Sequence, residues 1–149
     1  MKIIETRIMN ENPLYDYRQA CAITEGRFVD ETWKPKNEKE FWIKHVIANH
    51  SCLRAVKFRY IAKAPKSVIM QIIRATKGHP QPYVQSSRPD WNNGQERSSD
   101  PYEEKIFIQD HTAESFVEMA KQRLCKRTEA RTRTFMNLLV EELKKSDNP

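Results

Sequence analysis

Ser67, Gln71 and Arg74 recur at i, i+4 and i+7, the spacing that stacks side chains on one face of a helix. Val68, Ile69, Met70, Ile72, Ile73 and Ala75 wrap most of the same segment in apolar surface, so the sequence predicts a buried helix with a single polar stripe. A buried guanidinium needs an anion or acceptors, because an unpaired buried charge is very costly. The segment that follows supplies Gln85, Ser86, Ser87 and Arg88, held between Pro80, Pro82 and Pro89. If residues 84–88 are extended, Ser86 and Arg88 point to the same side. Arginines, hydroxyls and amides converging from a helix and a proline-stiffened loop form a donor set for a phosphorylated ligand. An internal ion-pair cluster with Asp90 or Glu96 would use the same residues, and the spacing leaves both readings open. A further cation, Arg123, falls within the apolar arc of Phe116, Met119, Ala120 and Leu124. It either snorkels along its own stem or makes another phosphate or base contact.

These residues need elements to hold them. Pro65 can open the polar-striped helix and Gly78 can close it. Before it, Arg54 to Ala62 alternates Val56, Phe58 and Tyr60 with Lys57, Arg59 and Ile61, the pattern of a half-buried strand. Residues 2–9 read as a short strand, and Asn12-Pro13 opens a helix that runs to Thr24 and ends at Gly26. Asn37 caps a second helix with Glu38 and Glu40 in its first turn, where carboxylates suit the helix dipole. His45 and His50 lie at no ligand spacing and read as packing or surface residues, and no metal site is expected. Asn92-Asn-Gly94 marks a turn, the run to Glu104 reads as a surface loop, and Lys105–Ile108 as at most a short strand. Thr112 caps a helix to Lys126, and Thr128 caps a last one with Phe135, Leu138, Leu139 and Leu143 inward.

The chain of 149 residues is long enough for one domain with a real core. Its 26 Lys and Arg against 20 Asp and Glu give a net charge of +6, which favours an anionic partner. A mean hydropathy of −0.81 is polar for a globular chain, so a second copy is expected to complete part of the core or site. Cys21, Cys52 and Cys125 form no CxxC and no zinc pattern, as expected of reduced thiols. No apolar run approaches membrane length, and the reading is a soluble, cytoplasmic protein.

The run Val56-Lys-Phe-Arg-Tyr-Ile-Ala-Lys-Ala-Pro-Lys-Ser-Val-Ile-Met-Gln-Ile-Ile-Arg74, followed by Gln85-Ser86-Ser87-Arg88, resembles the flavin-dependent thymidylate synthases. That family has a strand, Ala-Pro, a helix with Gln and then Arg-His-Arg, and a loop ending Gln-Ser-x-Arg. Its later arginine-bearing helix and the capped helix after it resemble Thr112 to Arg133. The likeness extends over nearly the whole chain and is carried by residues 49–91 and 112–133. It implies an α/β (α+β) single domain over residues 1–149, a small sheet packed with helices, assembled as a homotetramer with active sites between subunits. The activity it implies is methylation of dUMP to dTMP with methylenetetrahydrofolate, FAD and NADPH, in which the cofactor does the covalent work.

Carried over by position, Ser86 and Arg88 stand where the family binds dUMP, Arg123 where its helix arginine reaches the nucleotide, and Arg74 at the first arginine of Arg-His-Arg. With Gln71, Gln85 and Ser87 they make the expected nucleotide seat. The flavin side departs from the family: Ala75 and Thr76 replace the histidine and second arginine, and His79 sits in a longer loop where it can stand in for the lost histidine. Ser51 and Arg54 replace a Thr and Glu, and Glu114 and Glu118 replace an Arg and Asn. A relative that binds or sequesters a nucleotide without turnover is the alternative. RNA or single-stranded DNA binding is the third, on Tyr83, Arg88, Trp91 and the basic run from Lys121 to Arg133. Under either nucleotide reading, Arg88→Ala and Arg123→Ala are each expected to weaken nucleotide binding by roughly 1.5–3 kcal/mol, measured by calorimetry.

Overall fold

The structure is a computed structural model that describes residues 1–75, 80–88, 90 and 98–145. Thr76, His79, the Gly78 helix end, Trp91, the Asn92–Gly94 turn and Glu96 lie outside the described residues. The described chain is a small mixed α/β domain: β1 (Lys2–Ile8), α1 (Pro13–Thr24), α2 (Glu38–Ile47), a 3-10 turn (Ser51–Ala55), β2 (Lys57–Pro65), α3 (Lys66–Ala75), β3 (Tyr83–Val84), β4 (Glu104–Thr112), α4 (Ala113–Arg123) and α5 (Ala130–Lys145). The four strands form one antiparallel sheet in the order β1-β2-β4-β3. No helix among the described residues is long and apolar enough to cross a membrane.

Local chemistry places the first two helices as expected. The Asn12 side chain accepts from the Tyr15 N–H, and the Asn37 side chain from the Glu40 N–H. Gly26 follows α1 at φ 72°, the left-handed conformation that closes a helix without a Cβ penalty. The strand predicted from Arg54 begins later, at Lys57, because Ser51–Ala55 coils into a 3-10 turn. That turn buries the consecutive residues Cys52 and Leu53, which alternating strand faces cannot do. Pro65 ends β2 instead of opening α3; the first N–H groups of α3 are taken by the carbonyls of Glu103 and Pro101, at 3.0 and 2.9 Å.

The largest correction is β4. Predicted as at most a short strand, it runs nine residues and pairs with β2 along its full length. It faces the core with Lys105, Phe107, Gln109 and His111, three of them polar, which hid its periodicity. Each polar side chain has a partner: Lys105 pairs with Glu103 at 2.6 Å, Gln109 accepts from the Tyr60 hydroxyl at 3.1 Å, and His111 Nδ1 lies 2.9 Å from Ser115 Oγ. Partnering of this kind is what makes burial of polar groups tolerable.

Helices α3, α4 and α5 cover one face of the sheet. Val68, Ile69, Ile72 and Ala75 of α3, Met119 of α4, and Phe135, Met136 and Leu139 of α5 pack on Phe58, Tyr60, Ala62 and Phe107. Leu138, expected inside α5, is exposed, and the buried face is Thr132, Phe135, Met136 and Leu139. Glu129, not Thr128, caps that helix, accepting from the Thr132 N–H at 2.8 Å. The opposite sheet face carries Arg59, paired with Asp110 at 2.6 and 2.8 Å, beside the cross-strand pair Ile61 and Ile108. The Arg59 hydrogen bonds hold the Asp110 carboxyl below the usual carboxylate range.

A second core joins α1, α2 and the 3-10 turn around Tyr17, Cys52, Leu53 and Val56. Burial first, then the neighbouring Cys21 thiol, pushes Cys52 up to about 11. The Tyr17 hydroxyl and His45 Nδ1 are 2.7 Å apart, and the His45 ring packs against Phe41. Desolvation, then the charges of His50, Lys44 and Arg18, hold His45 below its ordinary 6.5. Between 6.5 and that lowered value the unfolded chain binds more protons than the native one. Stability is therefore lost as pH falls from 6.5 through the native His45 pKa. Urea melts over that window should show this loss, and His45→Gln should flatten it.

Candidate functional site

The helix bearing Ser67, Gln71 and Arg74 is amphipathic, not buried all round. Its polar stripe and Met70, 50% exposed, face away from the sheet, and Arg74 is exposed at its last turn. The reason is geometric: a helix lying on one sheet face with α4 and α5 as neighbours has core on one side only. Arg123 is the last residue of α4 and Arg74 the last but one of α3, and α3 packs against α4.

The two guanidinium groups are close enough to repel. Desolvation, then the charge of Arg74, lowers the Arg123 pKa from its ordinary value. Arg123 Nε is cut off from solvent and meets no hydrogen-bond acceptor, and no carboxylate pairs with either arginine, among the described residues. Like charges brought together and partly desolvated without a counterion are unfavourable unless something else supplies one. An oxyanion between the two would meet donors from both helix ends.

The loop residues are arranged differently. Only Tyr83 and Val84 extend the sheet, and the Gln85 N–H bonds the Ile106 carbonyl at 2.8 Å. Beyond them Ser86 Oγ accepts from the Arg88 N–H at 3.0 Å, and Arg88 grips Asp90 through Nε and Nη2 at 3.2 and 2.6 Å. Of the two sequence alternatives, Arg88 thus has the Asp90 ion pair, with both side chains more than half exposed. An exposed pair of this kind is weak enough to open for a better anion. Gln71 lies one helical turn before Arg74, and Ser87 is partly buried on the loop.

The residues at the flavin-side positions meet one another. Arg54 on the 3-10 turn bonds Glu114 in a two-point pair at 2.5 and 3.2 Å, which raises the Arg54 pKa. Asn49, at φ 50°, donates to Glu118 at 3.0 Å, and Lys121 donates to the same carboxylate at 2.9 Å. Ser51 is exposed at the start of the turn. The resemblance would bring the diphosphate of a flavin dinucleotide here, and this half of α4 carries two carboxylates already engaged with cations. The residues present do not fit that group.

Sequence reasoning missed the polar row of β4. His111 is 2% exposed and lies between the rings of Phe58 and Tyr60, and Gln109 also donates to the Pro80 carbonyl at 3.3 Å. Gln109 thereby ties the start of the loop to the core strand. No apolar alternation signalled that row, since the outward Ile106 and Ile108 are more apolar than the inward Lys105, Gln109 and His111. No group of three or more His, Cys, Asp or Glu suited to a metal occurs among the described residues.

No protein-family model matches this chain, and no curated protein sequence matches it.

If Arg123 is held for a ligand, it costs stability when the ligand is absent. Arg123→Met is expected to stabilise the unliganded protein by about 1 kcal/mol, the scale of an unsatisfied buried donor. Thermal melts with and without inorganic phosphate provide the check. Phosphate should raise the melting temperature of the parent chain and leave that of Arg123→Met unmoved.

Proposed function

We propose that this chain is a thymidylate synthase-like nucleotide-binding protein whose phosphate seat lies between Arg74 and Arg123, with dUMP as the expected nucleotide. The observation that carries the reading is the Arg123 guanidinium, partly desolvated, repelled by Arg74 and without an acceptor at Nε. The resemblance adds Ser86, Ser87, Gln85 and Arg88 to the seat, which requires the exposed Arg88–Asp90 pair to open onto the ligand. The resemblance supplies the choice of base, and the paired cations support the phosphate.

The pairing of Arg54 with Glu114 and of Asn49 with Glu118 favours nucleotide binding without flavin-driven methyl transfer. Methylation of dUMP with FAD, NADPH and methylenetetrahydrofolate would require a diphosphate to approach two engaged carboxylates. A homo-oligomer, the tetramer of the resemblance, belongs to the same proposal. Ile4, Tyr83 and Ile106 are exposed on or beside the helix-free sheet face, an apolar surface that a second copy can cover.

Calorimetry with dUMP and with uridine tests the seat. Uridine, lacking phosphate, should not bind. Arg123→Ala should weaken dUMP by roughly 1.5–3 kcal/mol, and Arg74→Ala should weaken it less, since Arg74 is exposed. Equal affinity of the parent and Arg123→Ala for dUMP would remove the seat. The purified protein should be colourless, and a flavin absorbance band near stoichiometric amounts, with tritium released from dUMP labelled at C5, would restore the enzyme reading.

A further inference from the structure

Around β2, β4 and the last turn of α5 most described cations are matched with acids: Arg59 with Asp110, Lys63 with Glu104, Lys66 and Lys105 with Glu103, Lys144 with Glu141, Lys145 with Glu142. At the elbow joining α4 to α5, Lys121 pairs with Glu118, and the described cations beyond it are not so matched. From Lys121 to Arg133 the chain carries six Lys and Arg and one acid, Glu129. The Glu129 carboxylate is turned to the backbone, accepting from the Thr132 N–H at 2.8 Å and the Thr132 hydroxyl at 3.0 Å. Lys126, Arg127 and Arg131 are exposed and pair with no carboxylate among the described residues.

The elbow is also held in shape. The Thr128 hydroxyl donates to the Gln122 carbonyl at 2.8 Å, the Thr128 N–H to the Cys125 carbonyl at 2.9 Å, and Arg133 Nη1 to the Lys126 carbonyl at 3.1 Å. At the second residue of α5, the Arg131 guanidinium lies 4.1 Å from the centre of the Tyr102 ring, and Tyr102 is 58% exposed. The surface thus combines exposed cations on a braced backbone, Arg131 among them sensing the nearby Glu129 charge, with an aromatic and guanidinium plane.

We infer that the α4–α5 elbow, with Lys126, Arg127, Arg131 and Tyr102, is a docking surface for single-stranded nucleic acid. A charge track recognises the phosphates whatever the sequence, and an aromatic plane with an adjoining arginine stacks a base, because every base presents a π face. An acidic polypeptide supplies the charge and has no use for the ring. The inference uses neither Arg74 nor Arg123, so it stands apart from the nucleotide seat.

The test is fluorescence anisotropy of a labelled oligothymidylate about a dozen nucleotides long, titrated over a range of salt. The Lys126→Ala/Arg127→Ala double variant removes two exposed side chains and leaves the core intact; circular dichroism verifies its fold. It should bind at least about tenfold more weakly, with a salt slope shallower by about 1.4, the expected loss of two phosphate contacts on a single strand. Tyr102→Ala should lose about five- to tenfold with the slope unchanged, since stacking releases no counterions. Both variants should bind dUMP calorimetrically as the parent does, which separates this surface from the seat. Absence of salt-dependent binding, or parental affinity in the double variant, overturns the inference. Tighter binding of polyglutamate than of the oligonucleotide also overturns it, and assigns the surface to an acidic protein.

Discussion

The register between β2 and β4 is the constraint on which the other features depend. Nine consecutive residues of each strand are partnered, from Lys57 with Thr112 to Pro65 with Glu104. A slip of one position would turn Phe107, Gln109 and His111 to the open face and bring Ile106, Ile108 and Asp110 inward. Tyr60 would then lose Gln109, and Arg59 would lose Asp110. The same register sets the start of α3 against the carbonyls of Pro101 and Glu103 and the start of α4 at Thr112. The positions of both helix ends, and so the approach of Arg74 to Arg123, follow from it.

Charge is distributed unevenly along α4. Its first turns carry Glu114 and Glu118, each engaged by a residue from the segment preceding β2. Its last turn carries Arg123, and the elbow beyond adds Lys126 and Arg127. The helix rises about 1.5 Å per residue, so along its axis Arg123 lies about 7.5 Å from Glu118 and about 13.5 Å from Glu114. Part of this asymmetry suits the helix itself, because acids near the N-terminus and cations near the C-terminus complement its dipole. The dipole accounts for the sign at each end. It does not account for an Arg123 Nε withdrawn from water without an acceptor among the described residues, the observation on which the proposed seat rests.

The second core gives α4 a rigid neighbour. Tyr17 is fully buried and meets the rings of Phe41, Trp42 and His45 edge-on, while Leu53 of the 3-10 turn is equally buried. Arg54 projects from that turn to Glu114, so the geometry of the α4 N-terminal half is set by packing around Tyr17. A side chain with an aromatic body and a polar tip is well suited to this position, provided the tip has a partner, and His45 supplies it at 2.7 Å.

The caps at Asn12, Asn37 and Thr112, the turn at Gly26 and the alternation of β2 were legible in the sequence, because each depends on a side chain and a backbone group a few residues apart. The nucleotide-side residues were legible as types and spacings, but their electrostatic state was not. Whether Arg74 lies under or above its helix depends on which side the sheet occupies. Whether Arg54 is free depends on Glu114, 60 residues away in the chain. The extent of β4 was hidden for the same reason: Gln109 is acceptable in a core only because Tyr60, 49 residues earlier, offers its hydroxyl. The sequence alone determined the starts of α1, α2 and α4, where a cap lies beside the helix it opens, and not the bounds of β2, β4 or α5. Only the tertiary structure decided which polar groups are paired and which are buried without a partner, because pairing depends on distance in space and the chain order does not encode that distance.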